Sequence, residues 1–173
     1  MKTGGADQVR LVESDADLSD DELHRFKLWR TWDQKKKTVL FVMLNPSTAN
    51  ATEDDPTIRK CIRFAQAWGY GGIQVGNLFS IRTANPAVLH RAAVTKRLER
   101  PRNDRALEEM AKEADLILAA WGNHGARYPE RIQEVLQLLR PLHALRVTKL
   151  GQPSHPLYLP NSYTPRPFCV SPA

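Results

Sequence analysis

The sequence predicts an α/β fold: one three-layer α/β/α sandwich built on a four-stranded, mainly parallel sheet. Three observations carry this. Four apolar runs of strand length occur, at residues 38–44 (TVLFVML), 72–79 (GIQVGNLF), 114–121 (ADLILAAW) and 143–150 (HALRVTKL). Amphipathic helical patterns separate them, and strands alternating with helices imply right-handed crossovers between parallel strands. Continuous apolar strands fit a sheet covered on both faces. At 173 residues the chain has the length of one domain.

Residues 1–24 read as an acidic, weakly ordered N-terminal arm. Residues 1–25 hold three basic and seven acidic side chains, a net of −4, which leaves +10 on the rest of a chain whose total is +6. Residues 25–173 read as a single α/β domain without internal repeats. The stretch FKLWRTWD (26–33) is an edge strand or a docking segment, and QKKK (34–37) is a solvated lead-in to the first apolar strand. Residues 54–69 form a helix. Acidic residues cap it, Pro56 suits its first turn, Ile58, Cys61, Ile62, Ala65 and Trp68 share one face, and Gly69 ends it. A shorter helix is expected over 85–93. Two more follow: 103–114, with Leu107, Met110, Ala111 and Ala114 on one face, and 128–140, with Ile132, Val135, Leu136 and Leu139.

Composition narrows the function classes. No apolar run is long enough to span a bilayer, so no membrane partner is expected. The first residues lack the apolar core of a secretory signal, which points to the cytoplasm. Cys61 and Cys169 form no C-x-x-C pair and the five histidines are scattered, so no metal site is expected. Neither a G-x-G-x-x-G nor a P-loop pattern occurs, which disfavours dinucleotide and nucleoside-triphosphate use; no cofactor is expected. The basic body suits nucleic acid or a nucleotide, with Arg59, Arg63, Arg82, Arg127 and Arg166 as candidate contacts.

Ligands of open α/β sheets bind beyond the carboxyl ends of the strands. Here each such end carries polar groups: Asn45-Pro46-Ser47-Thr48 after the first strand; Asn77, then Ser80-Ile81-Arg82, after the second; Trp121-Gly122-Asn123-His124-Gly125 after the third; Ser154-His155-Pro156-Leu157 after the fourth. A parallel sheet brings these ends to one edge, so Asn45, Asn77, Asn123, His124 and His155 are expected in one cleft. The aromatic residues Phe64, Trp68 and Phe79 could stack on a base, but their helix or strand spacing favours the core.

The motifs MLNPSTA, DDPTIRKCIRFA, WGYGG, NLFSIR, ND (103–104), AAWGNHG and GQPSHPLYL, in this order from Phe26 to Leu159, resemble the domain-of-unknown-function family DUF1643. One departure is KRLERPRND (96–104), which replaces a more Gly-Pro-like approach to Asn103-Asp104. At longer range the motif order is similar to the uracil-DNA glycosylase superfamily. That resemblance implies the same α/β/α sandwich. It also implies that Asn45 of Leu44-Asn45-Pro46 places an attacking water, although Met43 stands where glycine is usual. Asn77 would read a base, Ala120-Trp121-Gly122 would match a Leu-Trp-Gly segment, and His155 of His155-Pro156 would steady the departing base. Leu157 would lie near an intercalating residue.

The chemistry is coherent. Cleaving an N-glycosidic bond places positive charge on the sugar and negative charge on the base. An amide can orient water but is a poor base, and a histidine can donate to the developing anion. The expected function is hydrolysis of a nucleobase N-glycosidic bond in DNA or a nucleotide. Catalysis would fall to Asn45 and His155, and binding to Pro46, Ser47, Thr48, Asn77, Arg82, Trp121, Gly122, Asn123, His124, Ser154 and Leu157. The alternative is a non-catalytic module that binds nucleic acid or a nucleotide in the same cleft.

Overall fold

A computed structural model of the chain describes residues 9–95 and 99–170, so the first three residues of the 96–104 segment lie outside the described residues. The strands are β1 (Glu13–Leu18), β2 (Arg25–Thr31), β3 (Thr38–Met43), β4 (Gly72–Asn77), β5 (Leu116–Ala119), β6 (His143–Ala144) and β7 (Arg166–Pro167). The helices are α1 (Pro56–Ala67), α2 (Pro86–Thr95), α3 (Arg100–Glu113) and α4 (Pro129–Leu138). All the strands join one sheet in the order β1-β2-β4-β3-β5-β6-β7.

The fold is mixed α/β, but the expected four-stranded sheet is corrected to seven strands. The four apolar runs supply its middle, where β3 pairs in parallel with β4 and β5, and β5 with β6. Three antiparallel strands extend it: β2 on β4, β1 on β2, and β7 on β6. Their sequences hide them. β1 is the polar hexapeptide ESDADL inside the segment read as an arm, and β7 is two residues long. β1 adds to the edge of β2 by backbone pairing, which needs no apolar run; the indole of Trp29 donates to Glu13 Oε1 at 2.9 Å across the pair. The run 143–150 shrinks to two strand residues. The chain then turns at 148–151, with Gly151 at φ +73°, and Val147 bridges to Pro153.

Continuous apolar strands are explained by two cores. Val39, Phe41 and Met43 of β3 pack with Ile58, Cys61, Ile62 and Ala65 of α1. The alternate residues Leu40 and Val42 pack on the other face with Leu107 and Met110 of α3 and Ile132 and Val135 of α4. Asp55 starts α1: its Oδ1 accepts the Ile58 N–H at 2.8 Å, and Pro56 fills the first helical position, where no N–H is needed. Gly76 lets α3 approach β4, since a Cβ there would lie 2.5 Å from Leu107 Cδ2 and 2.8 Å from Met110 Cε. Among the described residues no helix is long and apolar enough to cross a membrane.

Candidate functional site

A cleft of about 880 Å³ opens at the carboxyl edge of the parallel strands. Asn45, Ser47, Asn77, Trp121, Gly122, Asn123, His124, Ser154, His155 and Leu157 all line it. Topology explains the convergence. β3, β4 and β5 end side by side, with Met43 opposite Asn77 and Val42 opposite Ala119.

Asn45 follows β3. Its amide nitrogen donates to the carbonyls of Thr83 (2.7 Å), Pro46 (3.1 Å) and Ile81 (3.2 Å). Three carbonyl neighbours fix which end is nitrogen. The amide therefore ties the loop after β4 to the end of β3 and leaves Oδ1 as its acceptor.

Asn77 ends β4 and is 2% exposed. Its Nδ2 is enclosed and donates to nothing among the described residues, a state that costs free energy unless something supplies an acceptor. The backbone around it is held from α3 and α4. Asn103 donates to the Asn77 carbonyl at 2.9 Å. Arg131 donates from Nε to the Leu78 carbonyl at 2.7 Å and from Nη2 to Asp104 at 2.5 Å. The Asn103-Asp104 pair thus acts through position rather than contact with the cleft.

His155 stands at the start of the short turn Pro156–Tyr158, and its Nδ1 accepts the Leu157 N–H at 3.3 Å. An accepting Nδ1 puts the proton of the neutral ring on Nε2. Burial holds its pKa below the ordinary histidine value, opposed by the negative charge of Asp55, so the ring is neutral at pH 7. Gly122, at φ +73°, seats this loop against the end of β5: its N–H donates to the Pro153 carbonyl at 2.9 Å, and a Cβ would lie 3.4 Å from His155 Cβ. Trp121 donates to Gln152 Oε1 at 2.9 Å, and Asn123 Oδ1 accepts the Thr148 hydroxyl at 2.6 Å; both pin the same loop.

Residues 25–157 match the family model described as "Protein of unknown function (DUF1643)". The chain belongs to this family. No curated protein and no solved structure matches. The DUF1643 segment begins at the first residue of β2 and ends just after His155, so it contains every cleft residue except Tyr158 and Leu159 and omits β1 and β7.

Other expected residues stand apart from the cleft. Pro46 is buried and serves through its carbonyl, which accepts from Asn45 and from the Thr83 N–H. Thr48 is exposed, and Arg82 donates to the Glu22 carbonyl at 3.1 Å; neither lines the cleft. Of the arginines suggested for nucleic acid, Arg127 lines it, whereas Arg59, Arg63 and Arg166 do not. Phe64 and Phe79 are core, and Trp68 stacks on Phe64 with centroids 5.3 Å apart.

Four charged cleft residues escaped the sequence reading: Asp55, Arg25, Arg146 and Lys149. Asp55 was legible only as a helix cap, yet its Oδ2 also accepts the Ser47 hydroxyl at 2.6 Å, and it is the one carboxylate lining the cleft among the described residues. Arg25 was counted with the N-terminal charges. It reaches the cleft because β2 runs antiparallel to β4, so the start of β2 lies beside the end of β4; the Arg25 N–H donates to the Ser80 carbonyl at 2.9 Å. Arg146 and Lys149 add further positive charge to the lining.

Proposed function

We propose that the cleft holds a nucleobase and that the protein hydrolyses an N-glycosidic bond, in DNA or a nucleotide, in the manner of the uracil-DNA glycosylase superfamily. The observation that carries this reading is the enclosed, unpartnered Nδ2 of Asn77 in the same cleft as a neutral His155 that keeps its proton on Nε2. Asn77 has a donor to spare for a carbonyl on a base edge. His155 Nε2–H can donate to the base as it leaves with the electrons of the broken C1′–N bond. A water attacking C1′ is oriented by Asn45 Oδ1. Its proton passes to Asp55, the carboxylate the cleft contains and the amide cannot replace.

The test is release of free base from oligonucleotides and nucleotides carrying varied normal, modified and damaged bases. With a substrate in hand, His155→Ala and Asn45→Ala should each slow the single-turnover rate by roughly 10²–10³-fold, the usual cost of losing a preorganised polar contact to the transition state. Asn77→Ala should mainly change which base is accepted. Rates within about twofold of wild type for both His155→Ala and Asn45→Ala would sink the mechanism. The second reading, a non-catalytic binding module, is favoured by one feature: the Asn45 amide nitrogen is wholly committed to the carbonyls of Pro46, Ile81 and Thr83. Base binding without release by any substrate would establish it.

A further inference from the structure

The cleft contains a buried cation that the proposed chemistry does not use. Arg25 is 3% exposed. Its Nη1 donates to the Ala49 carbonyl at 2.7 Å, while its Nε is enclosed without a partner. It forms no ion pair among the described residues, although its neighbour Arg30, also buried, is matched by Asp54 at 2.8 Å. Burial pushes the Arg25 pKa down to about 10, so the guanidinium is strained in its charged form yet remains charged at neutral pH. Asp55 offsets part of this through space without pairing with the guanidinium, and its two oxygens each accept one bond, from Ser47 and from the Ile58 N–H. Arg30 and Arg82 add repulsion. The lining also includes Arg127, Arg146 and Lys149 and, among the described residues, one carboxylate, Asp55.

A buried guanidinium without a counter-ion is costly, and a planar fork of N–H donors matches the oxygens of phosphate. We propose that Arg25 is the anion-binding residue of the cleft and takes a phosphate group of the substrate, carried either by a free nucleotide or by a nucleic-acid backbone. The substrate's identity rests on the glycosidic reading above; the anion site itself does not, because phosphate can be measured without a base. A phosphate here supplies the missing counter-charge and anchors the sugar while Asn77 holds the base.

The experiment titrates isotope-labelled protein with inorganic phosphate and pyrophosphate at low ionic strength and follows the Arg25 Nε–H resonance, assigned by side-chain connectivity. A saturable shift is expected, and Arg25→Gln should weaken pyrophosphate binding by roughly tenfold or more. An unmoved Nε–H, or pyrophosphate binding of unchanged strength in Arg25→Gln, overturns the proposal. Should Arg25→Gln not fold, the wild-type resonance decides alone. Competition then separates the sources. Displacement of pyrophosphate by the common nucleoside 5′-monophosphates supports a free nucleotide, and displacement by a dinucleotide with only an internal phosphate supports a backbone. Displacement by neither, or equally well by the nucleosides, overturns it. Phosphate binding with no base released from any substrate keeps the anion site and removes the hydrolase; base release indifferent to Arg25→Gln does the reverse.

Discussion

Two buried arginines flank the segment that follows β4, and they are handled in opposite ways. Arg131, 2% exposed, donates to the Leu78 carbonyl, to Asp104 and to Glu134, the last at 3.0 Å. The side chain of Arg25, 3% exposed, donates among the described residues to one group, the carbonyl of Ala49. A buried charge with a full set of acceptors is a structural clamp. One left unmatched is held there at a cost. The two buried asparagines differ more narrowly: among the described residues Asn103 donates to the Asn77 carbonyl but leaves its own enclosed Oδ1 without a donor, whereas Asn77 leaves its Nδ2 without an acceptor.

The largest effect is expected at Arg131. Arg131→Met should cost about 3 kcal/mol in denaturant unfolding, the lower end for a broken buried pair, because Asp104 and Glu134 are partly exposed and regain water. A loss below 1 kcal/mol would mean that the clamp carries no stability. Next comes Asn103→Leu, which leaves the Asn77 carbonyl unpaired and should cost about 1–2 kcal/mol, whereas Asn77→Leu, which removes an unpartnered donor, should be close to neutral. Equal losses in the two variants would make Asn77 structural. Arg25→Met should lie within about 1 kcal/mol of wild type or be more stable, since it removes an unmatched buried charge. A fall as large as that of Arg131→Met would erase the distinction between the two arginines.

The smallest effect is the pH dependence from His155. Its folded pKa lies below 6.5 because burial penalises the imidazolium. The unfolded chain therefore binds more protons below that pH, so the contribution is intact above 6.5 and is lost as pH falls through the folded value. The difference in unfolding free energy between wild type and His155→Gln should be flat above pH 6.5 and change against wild type below it. A flat difference down to pH 4.5 would place His155 in water-like surroundings.

Much of the cleft was legible because three strand ends announce themselves. Phe41-Val42-Met43-Leu44 stops at Asn45-Pro46, Val75-Gly76 at Asn77, and Leu118-Ala119-Ala120 at Trp121-Gly122. In a parallel set, sequence order alone sends these ends to one edge. The same rule concealed Arg25, because it speaks only of carboxyl ends, and an antiparallel neighbour delivers its amino end to that edge. β1 was concealed for a different reason: its polar side chains carry no apolar signal.

By itself the sequence determined the alternation of strand and helix, the two-sided burial of β3 and the polar residues that end each central strand. These are local properties, set by side-chain periodicity and turn chemistry. Only the tertiary structure decided which charges meet. Arg25 and Asp55 are thirty positions apart, in a strand and a helix cap, and they share a cleft through the pairing direction of β2 and the seat of α1 on the sheet. Whether a buried donor is spent or free is likewise a matter of what the fold brings within about 3 Å, a distance no spacing along the chain encodes.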